Sequence, residues 1–208
     1  MPIAGMNLGM INRVEVRAEI RVRRINSRVG GIAGVNVGTI QYSNITNNNT
    51  NRAYTIIYGN GDLGGVAGHN TTGYGRRGHI RNIHVHHTTI QHFLVNHSRS
   101  VGGVVGFNTS ATLEWAIIHD VIVRNGGQSN ASHIAPAMGL IVGQFQNSTV
   151  HHFGRHRSSM NYGNLSVSQP THFGSLGWGG AGRGWGGQMS GNNDILVPTS
   201  GEIVLCNF

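Results

Sequence analysis

An internal repeat constrains the fold more than any other feature of this sequence, because self-similarity at a fixed period is typical of solenoids and related arrays. Five segments share small or branched residues, then a Gly, then a polar position. They read IAGMNLGMINRVEV from Ile3, IAGVNVGTIQYSNI from Ile32, VAGHNTTGYGRRGHIRNIHV from Val66, VVGFNTSATLEWAIIHDVIV from Val104 and IVGQFQNSTVHHF from Ile141. Their anchoring glycines, 29, 34, 38 and 37 residues apart, are Gly5, Gly34, Gly68, Gly106 and Gly143. In the first four, an Asn follows two residues later: Asn7, Asn36, Asn70 and Asn108.

Within one repeat the residue pattern has a period of two, which indicates β-strands. Residues 30–63 contain three such stretches, GGIAGVN, GTIQYSNIT and AYTIIYGNGD. Simple alternation in the second places Ile40, Tyr42 and Asn44 on the face opposite Gln41, Ser43 and Ile45. Three strands in about 35 residues is the size of one coil of a β-helix. The sequence therefore predicts an all-β fold, a three-sided parallel β-solenoid of about six coils in one domain over residues 1–208. The predicted coils span about 2–29, 30–63, 64–101, 102–138, 139–173 and 174–208.

The repeated Gly and Asn residues suggest specific structural roles. The pairs Gly30-Gly31, Gly64-Gly65 and Gly102-Gly103 are expected at corners that need unusual φ angles. Asn60-Gly61 is expected to end a strand in a turn. The anchoring Gly in the first strand would leave room for another wall or a neighbour. The repeated Asn would stack from coil to coil as an amide ladder, or would serve ordinary turn chemistry.

The repeats resemble those of a known family of surface proteins. GGIAGVNVGTIQYSNIT at 30–46, GGVAGHN at 64–70 and GGVVGFN at 102–108 are similar to the GLUG repeat of bacterial surface proteins, and the resemblance covers about residues 3–150. It implies an adhesin-type protein that is extracellular or on the cell surface, without catalytic residues.

The charge balance and the missing motifs exclude several classes of function. The formal net charge is +8, and all fifteen basic residues are Arg, which excludes lysine-based chemistry. This charge reflects the small number of acids (seven), or an attraction to acidic glycans or other anionic surfaces; a nucleic-acid partner is not favoured. Phosphate-loop, GxSxG, HExxH and zinc-finger patterns are absent, so no cofactor is predicted. The longest apolar runs are too short to predict a membrane span, and Cys206 has no second Cys for an intrachain disulfide.

Histidine clusters suggest a metal site. His84 and His86 are two residues apart on a predicted strand and so share a face, and His119 or Asp120 of the next coil would supply a further ligand. The predicted metal-binding set is His84, His86 and His119. The alternative is that these residues are solvated positions on a polar face.

Carboxylate pairs are too sparse to favour an enzyme. Glu15 and Glu19 lie among Arg residues and are expected to form surface ion pairs. Glu114 and Asp120 are separated by most of a strand, whereas glycoside hydrolysis needs two carboxyl groups flanking one bond.

Two functions from different classes follow. The first is a structural or adhesive solenoid whose subunits stack head-to-tail into filaments, because a solenoid exposes unpaired strand edges at its ends. The alternative is a glycan- or surface-binding module that uses the Arg/His face and the segment with Trp178, Arg183 and Trp185. That combination suits stacking on sugars or cation–π contacts; otherwise the tryptophans cap the core.

Overall fold

The computed structural model describes residues 3–17, 19–46, 55–92, 99–125, 137–156, 158–161, 176–179 and 183–184, and every regular element in these ranges is a β-strand. The first eleven strands are β1 (Ala4–Asn7), β2 (Met10–Asn12), β3 (Glu15–Val16), β4 (Ile20–Gly30), β5 (Ala33–Asn36), β6 (Thr39–Ile45), β7 (Thr55–Gly64), β8 (Ala67–Asn70), β9 (Thr72–Gly73), β10 (Arg76–Arg77) and β11 (His79–His86). The next eleven are β12 (Thr88–His92), β13 (Ser100–Gly102), β14 (Val105–Thr109), β15 (Thr112–His119), β16 (Ile122–Asn125), β17 (Ala137–Gly139), β18 (Val142–Gln146), β19 (Thr149–His156), β20 (Ser159–Asn161), β21 (Leu176–Gly179) and β22 (Arg183–Gly184).

Most of these strands form three parallel sheets. Sheet 1 has the order β1-β5-β8-β14-β18-β21, and β22 joins β21 in antiparallel orientation. Sheet 2 has the order β2-β6-β11-β15-β19, and β3 also pairs with β6. Sheet 3 has the order β17-β13-β7-β12-β16-β20, and β4 also pairs with β7. The chain passes through sheets 1, 2 and 3 in turn and then returns to sheet 1, which makes the fold a β-solenoid, as predicted.

The described strands give about three complete turns of this solenoid. In the turns built on β5, β8 and β14, the strands of sheet 1 and sheet 2 have a parallel neighbour on both sides. The predicted number of about six coils is larger than this, and the last predicted coil, 174–208, is described only at β21 and β22. The part of the chain that the structure describes contains no helix long and apolar enough to cross a membrane.

The strand register in sheet 1 has the same offsets as the sequence repeat. Ala33 is paired with Ala4 and Ala67, and Ala67 with Val105. These steps of 29, 34 and 38 residues equal the spacings of the anchoring glycines. Coils of unequal length can keep one register because the loops between strands absorb the extra residues.

The core consists of apolar side chains stacked between successive turns. Ile80 of β11 lies between Ile40 and Leu113 in sheet 2, and all three are fully buried. In sheet 3, Ile90 lies between Ile57 and Val123, also fully buried. Each such side chain contributes about 1.5–3 kcal/mol through burial, so the repeated apolar positions hold the turns together.

The predicted alternation of β6 is wrong at its start, because Ile40 is buried and not exposed like Tyr42 and Asn44. Tyr42 adopts a left-handed backbone, with φ 50°, and its side chain is exposed. Ser43 and Ile45 are both buried, so the inward phase shifts at Tyr42. Asn82 and Trp115 adopt the same conformation in the next two turns. Simple alternation misses this shift because one left-handed residue reverses the sides to which later residues point.

The predicted reasons for two glycine motifs are also wrong. Gly75 is the glycine with positive φ among the described residues, so the three Gly pairs do not provide left-handed corners. They are needed for close approach: a Cβ at Gly30 would lie 2.4 Å from the carbonyl oxygens of Ala33 and Val66. Asn60-Gly61 lies inside β7, and not in a turn that ends it. There the Nδ2 of Asn60 donates to the carbonyl of Arg23 at 2.9 Å, where β4 departs from regular pairing.

Candidate functional site

The repeated asparagines form a buried ladder along sheet 1. The Nδ2 of Asn7 donates to Oδ1 of Asn36 at 2.7 Å, that of Asn36 to Asn70 at 2.8 Å, and that of Asn70 to Asn108 at 2.7 Å. Three of the four side chains also donate to a backbone carbonyl: Asn7 to Thr39, Asn36 to Gly38 and Asn70 to Thr112. The structure therefore brings these four predicted residues together, and we refer to them as the asparagine ladder.

The asparagine ladder ends where the sequence pattern ends. In the next turn the residue paired with Asn108 is Phe145, which cannot accept a side-chain hydrogen bond. The Nδ2 of Asn108 is buried and has no hydrogen-bond partner among the described residues. The ladder therefore joins four successive turns through side-chain hydrogen bonds.

The anchoring glycines lie where sheet 1 approaches the ends of the sheet 3 strands. A Cβ at Gly68 would lie 2.4 Å from the backbone nitrogen of Val29, and one at Gly106 would lie 2.6 Å from the carbonyl oxygen of Gly68. Gly34 and Gly143 have similarly close backbone neighbours. Gly5 differs, because a Cβ there would meet nothing within 4 Å. From the second turn onward, therefore, the repeated Gly leaves no space for a side chain.

The predicted metal-binding histidines lie close together at one end of β11. The rings of His84 and His86 are 5.5 Å apart between centroids, so these residues do share a face. His119 is paired with His86 in the next turn, and their ring centroids are 5.9 Å apart. Burial, and next the nearby His84, lowers the pKa of His86, which favours its neutral imidazole.

A tighter group includes only one of the predicted three. The ligand atoms of His87, His119 and Asp120 all lie within 4.8 Å of one another. The Nδ1 atoms of His87 and His119 are 3.4 Å and 3.0 Å from Oδ2 of Asp120. We refer to these three residues as the His–Asp corner. His84 and His86 lie beside it and are not members of it.

The backbone turns at the His–Asp corner, between sheet 2 and sheet 3. His87 follows β11 and Asp120 follows β15, and both adopt left-handed φ angles, of 43° and 51°. The N–H of His87 donates to the carbonyl of His119 at 3.0 Å, which ties the two turns together. Aligning HHTT of residues 86–89 with HDVI of residues 119–122 places His87 opposite Asp120, and this signal was available in the sequence.

The outer surface of sheet 2 carries exposed aromatic residues among polar ones. Tyr42 and Trp115 are 50% and 41% exposed, and Asn82 lies between them in the intervening turn. Beside this row the Nε of Arg81 donates to Oε1 of Gln41 at 2.8 Å. Nε2 of His79 lies 2.7 Å from Oε1 of Glu114. The surface is therefore a polar sheet with aromatic side chains two turns apart.

Two of the three residues predicted for sugar binding lie in described strands. Trp178 lies in β21 and Arg183 in β22, where Trp178 pairs with Gly184 and Gly179 pairs with Arg183. Trp185 lies outside the described residues, so the predicted sugar-binding combination stays a prediction. Glu15 and Glu19 form exposed ion pairs with Arg17 and Arg21, as expected.

The first described turn has an exposed apolar surface. Ile3, Met6, Leu8 and Met10 lie on or beside β1 and β2, the edge strands of sheets 1 and 2, and each is more than 40% exposed. Met6 is 47% exposed, whereas Val35, its partner in the next turn, is 8% exposed. We refer to these four residues as the apolar edge.

In comparisons with protein-family models, with curated proteins and with solved structures, the chain has no match.

Proposed function

We propose that this protein is a non-enzymatic structural or adhesive β-solenoid whose subunits stack head-to-tail. The observation that carries the proposal is the apolar edge beside β1 and β2, which have a parallel neighbour on one side only among the described strands. An edge strand presents unpaired N–H and C=O groups to a further strand. The exposed apolar side chains at the same edge also favour its burial. A second copy of the chain, docked through its opposite end, would supply hydrogen-bond partners for the edge strands and would bury the apolar side chains.

Stacking of this kind is heterologous, because one end of a subunit binds the other end of the next. Heterologous contacts that do not close into a ring produce open filaments. We also propose that the array comprises about six coils, as the repeat predicts. The parallel pairing of β18 with β14 and of β21 with β18 supports an array that continues past the three turns with neighbours on both sides.

The positions of the carboxylates support a function without catalysis. Glu114 lies near the start of β15 and Asp120 just after its end, on the order of 15–20 Å apart along the strand. The two carboxyl groups of a glycosidase are about 5–10 Å apart. Glu114 contacts His79, and Asp120 contacts His87 and His119, so each has a basic neighbour of its own.

The proposed context is extracellular or at the cell surface, and the proposed relationship is with GLUG-type repeats. Its support is the similarity of residues 30–46, 64–70 and 102–108 to that repeat, together with a solenoid whose sheet 1 register has the same offsets.

Electron microscopy of the purified chain with a charge placed in the apolar edge tests the stacking. Met10→Asp puts a carboxylate at a side chain that is 65% exposed, so the monomer should fold while the filament should disappear. Trp115→Asp is the matched control, because Trp115 is also exposed but lies in β15, which β6 and β11 separate from β2. Filaments of the unaltered chain and of Trp115→Asp, but not of Met10→Asp, are expected. Equal behaviour of all three, including dispersed single particles throughout, contradicts the proposal.

The exposed Tyr42 and Trp115 favour glycan binding as a second candidate function. Aromatic rings combined with amide and guanidinium groups, here Asn82 and Arg81, are suited to stacking on sugars and bonding their hydroxyls. A glycan array probed with the chain and with Trp115→Asn decides this candidate. Specific glycan signals that Trp115→Asn abolishes support glycan binding at this surface. Signals that Trp115→Asn leaves unchanged contradict it.

A further inference from the structure

We infer that the His–Asp corner binds one divalent transition-metal ion, of the class of Zn²⁺, Cu²⁺ or Ni²⁺, through His87, His119 and Asp120. The inference is independent of subunit stacking, because all three ligands lie within one chain. Their ligand atoms already lie within 4.8 Å of one another.

The distances fit a small ion with little rearrangement. Zinc binds imidazole nitrogen at about 2.0–2.1 Å and carboxylate oxygen at about 2.0–2.2 Å, so two tetrahedral ligands are separated by about 3.3–3.5 Å. In the His–Asp corner, Oδ2 of Asp120 is 3.4 Å from Nδ1 of His87 and 3.0 Å from Nδ1 of His119. Small rotations of the side chains would therefore place the three ligand atoms around a shared ion.

The backbone places the three ligands before any ion arrives. His87 belongs to one turn of the solenoid, whereas His119 and Asp120 belong to the next, and the hydrogen bond from His87 N–H to the His119 carbonyl fixes their spacing. β11 and β15 are paired as far as His86, which precedes His87, and His119, which is itself a ligand. A site whose ligands are held at the ends of paired strands loses little conformational entropy on binding.

The donor set selects the class of metal. Two imidazoles and one carboxylate suit Zn²⁺, Cu²⁺ and Ni²⁺, whereas Ca²⁺ and Mg²⁺ prefer oxygen ligands throughout. The side chains are accessible to an incoming ion, since His87 is 45% exposed and Asp120 is 21% exposed. A fourth position is left for water or for His86, whose ring centroid is 5.9 Å from that of His119. An ion bound here would join two successive turns of the solenoid.

Calorimetric titration of zinc chloride into the chelator-treated full chain tests the site. Asp120→Asn and His87→Asn are suitable variants, because Asn tolerates the left-handed backbone at both positions. His84→Gln is the matched control, since His84 contacts His86 but lies outside the His–Asp corner. We expect saturable binding of one zinc ion per chain, weakened at least tenfold in both variants and unchanged in the control. Zinc should also raise the melting temperature of the native chain.

Three results would overturn the assignment. They are no saturable zinc binding to the native chain, zinc binding that both Asn variants retain, and binding that His84→Gln weakens as much as they do. Circular dichroism without metal establishes that each variant is folded. Should either variant not fold, electron paramagnetic resonance of Cu²⁺ on the native chain decides the matter. Hyperfine coupling to two imidazole nitrogens supports the site, and any other coordination refutes it.

Discussion

Asn70 donates a hydrogen bond from Nδ2 to Oδ1 of Asn108 across 2.7 Å, and both side chains are fully buried although they are 38 residues apart in sequence. The same bond joins Asn36 to Asn70. Because the low polarity of the interior strengthens a satisfied hydrogen bond and penalises an unsatisfied one, the asparagine ladder favours a single register. A slip of one residue would bury an amide without its partner.

Asn70→Ala is expected to destabilise the protein by about 1–3 kcal/mol, the cost of leaving buried polar partners unsatisfied. The substitution removes the acceptor for Asn36 and the donor to Asn108 and to the Thr112 carbonyl. Asn44→Ala is the control, because Asn44 is exposed in β6 and should change the free energy of unfolding by less than about 0.5 kcal/mol. Urea unfolding measures the free energy of unfolding of both variants. Equal losses would mean that the buried asparagine ladder stabilises the fold no more than an exposed Asn does.

Gly106→Ala is expected to destabilise the protein strongly, by about 1–3 kcal/mol or more, through overpacking. The added methyl would lie 2.6 Å from the carbonyl oxygen of Gly68 and 2.7 Å from the backbone nitrogen of Leu63, where only the backbone could move. Gly106→Val should be worse.

Gly5→Ala is the matched control for that substitution, since Gly5 holds the same place in the repeat but has nothing within 4 Å of the added atom. Thermal unfolding should show a lower melting temperature for Gly106→Ala and almost none of that loss for Gly5→Ala. If Gly106→Val leaves the melting temperature unchanged, sheets 1 and 3 do not approach each other as closely at Gly106 as described.

The repeat predicted the solenoid because each copy carries the same few contacts. Asn70 follows Gly68 by two residues, and Asn108 follows Gly106 in the same way, so one alignment predicted the class of fold and the register of sheet 1. The shift of the alternation at Tyr42 could not be predicted in the same way, because the left-handed φ that causes it occurs at a residue other than Gly. A sequence pattern reports residue types, whereas that shift depends on the backbone conformation of a single residue.

The predicted metal-binding set has only His119 in common with the His–Asp corner. His84 and His86 were chosen because alternate residues of a strand share a face, and their rings do lie together. His87 comes one residue later, just after the end of the strand, and its own φ is 43°. Strand periodicity cannot predict contacts made at a corner.

His69 is expected to make stability depend on pH below neutrality. Burial, and next the nearby charge of Arg28, lowers the pKa of His69 from 6.5 to about 4. Its ring stacks on that of Phe107, with centroids 4.9 Å apart. Between these two pH values the unfolded chain binds the proton and the folded chain does not, so stability present above pH 6.5 is lost as the pH falls toward 4. At pH 5 the loss should be about 2 kcal/mol.

His69→Phe isolates this contribution, because phenylalanine retains a ring beside Phe107 and does not titrate. Denaturant unfolding between pH 7.5 and pH 5 should give a shallower loss of stability for the variant than for the unaltered chain. Identical pH profiles would show that His69 is not held neutral in the fold.

Static light scattering over a concentration series tests head-to-tail stacking most directly. The exposure of Met6 and Met10 beside unpaired strand edges predicts a weight-average mass that rises steadily with concentration from the 22.3 kDa of one chain. No plateau at a dimer or another closed oligomer is expected, because each added subunit exposes a new apolar edge. A monodisperse 22.3 kDa particle at the highest concentration would contradict the proposed function. It would favour an apolar edge covered by neighbouring coils of a longer chain.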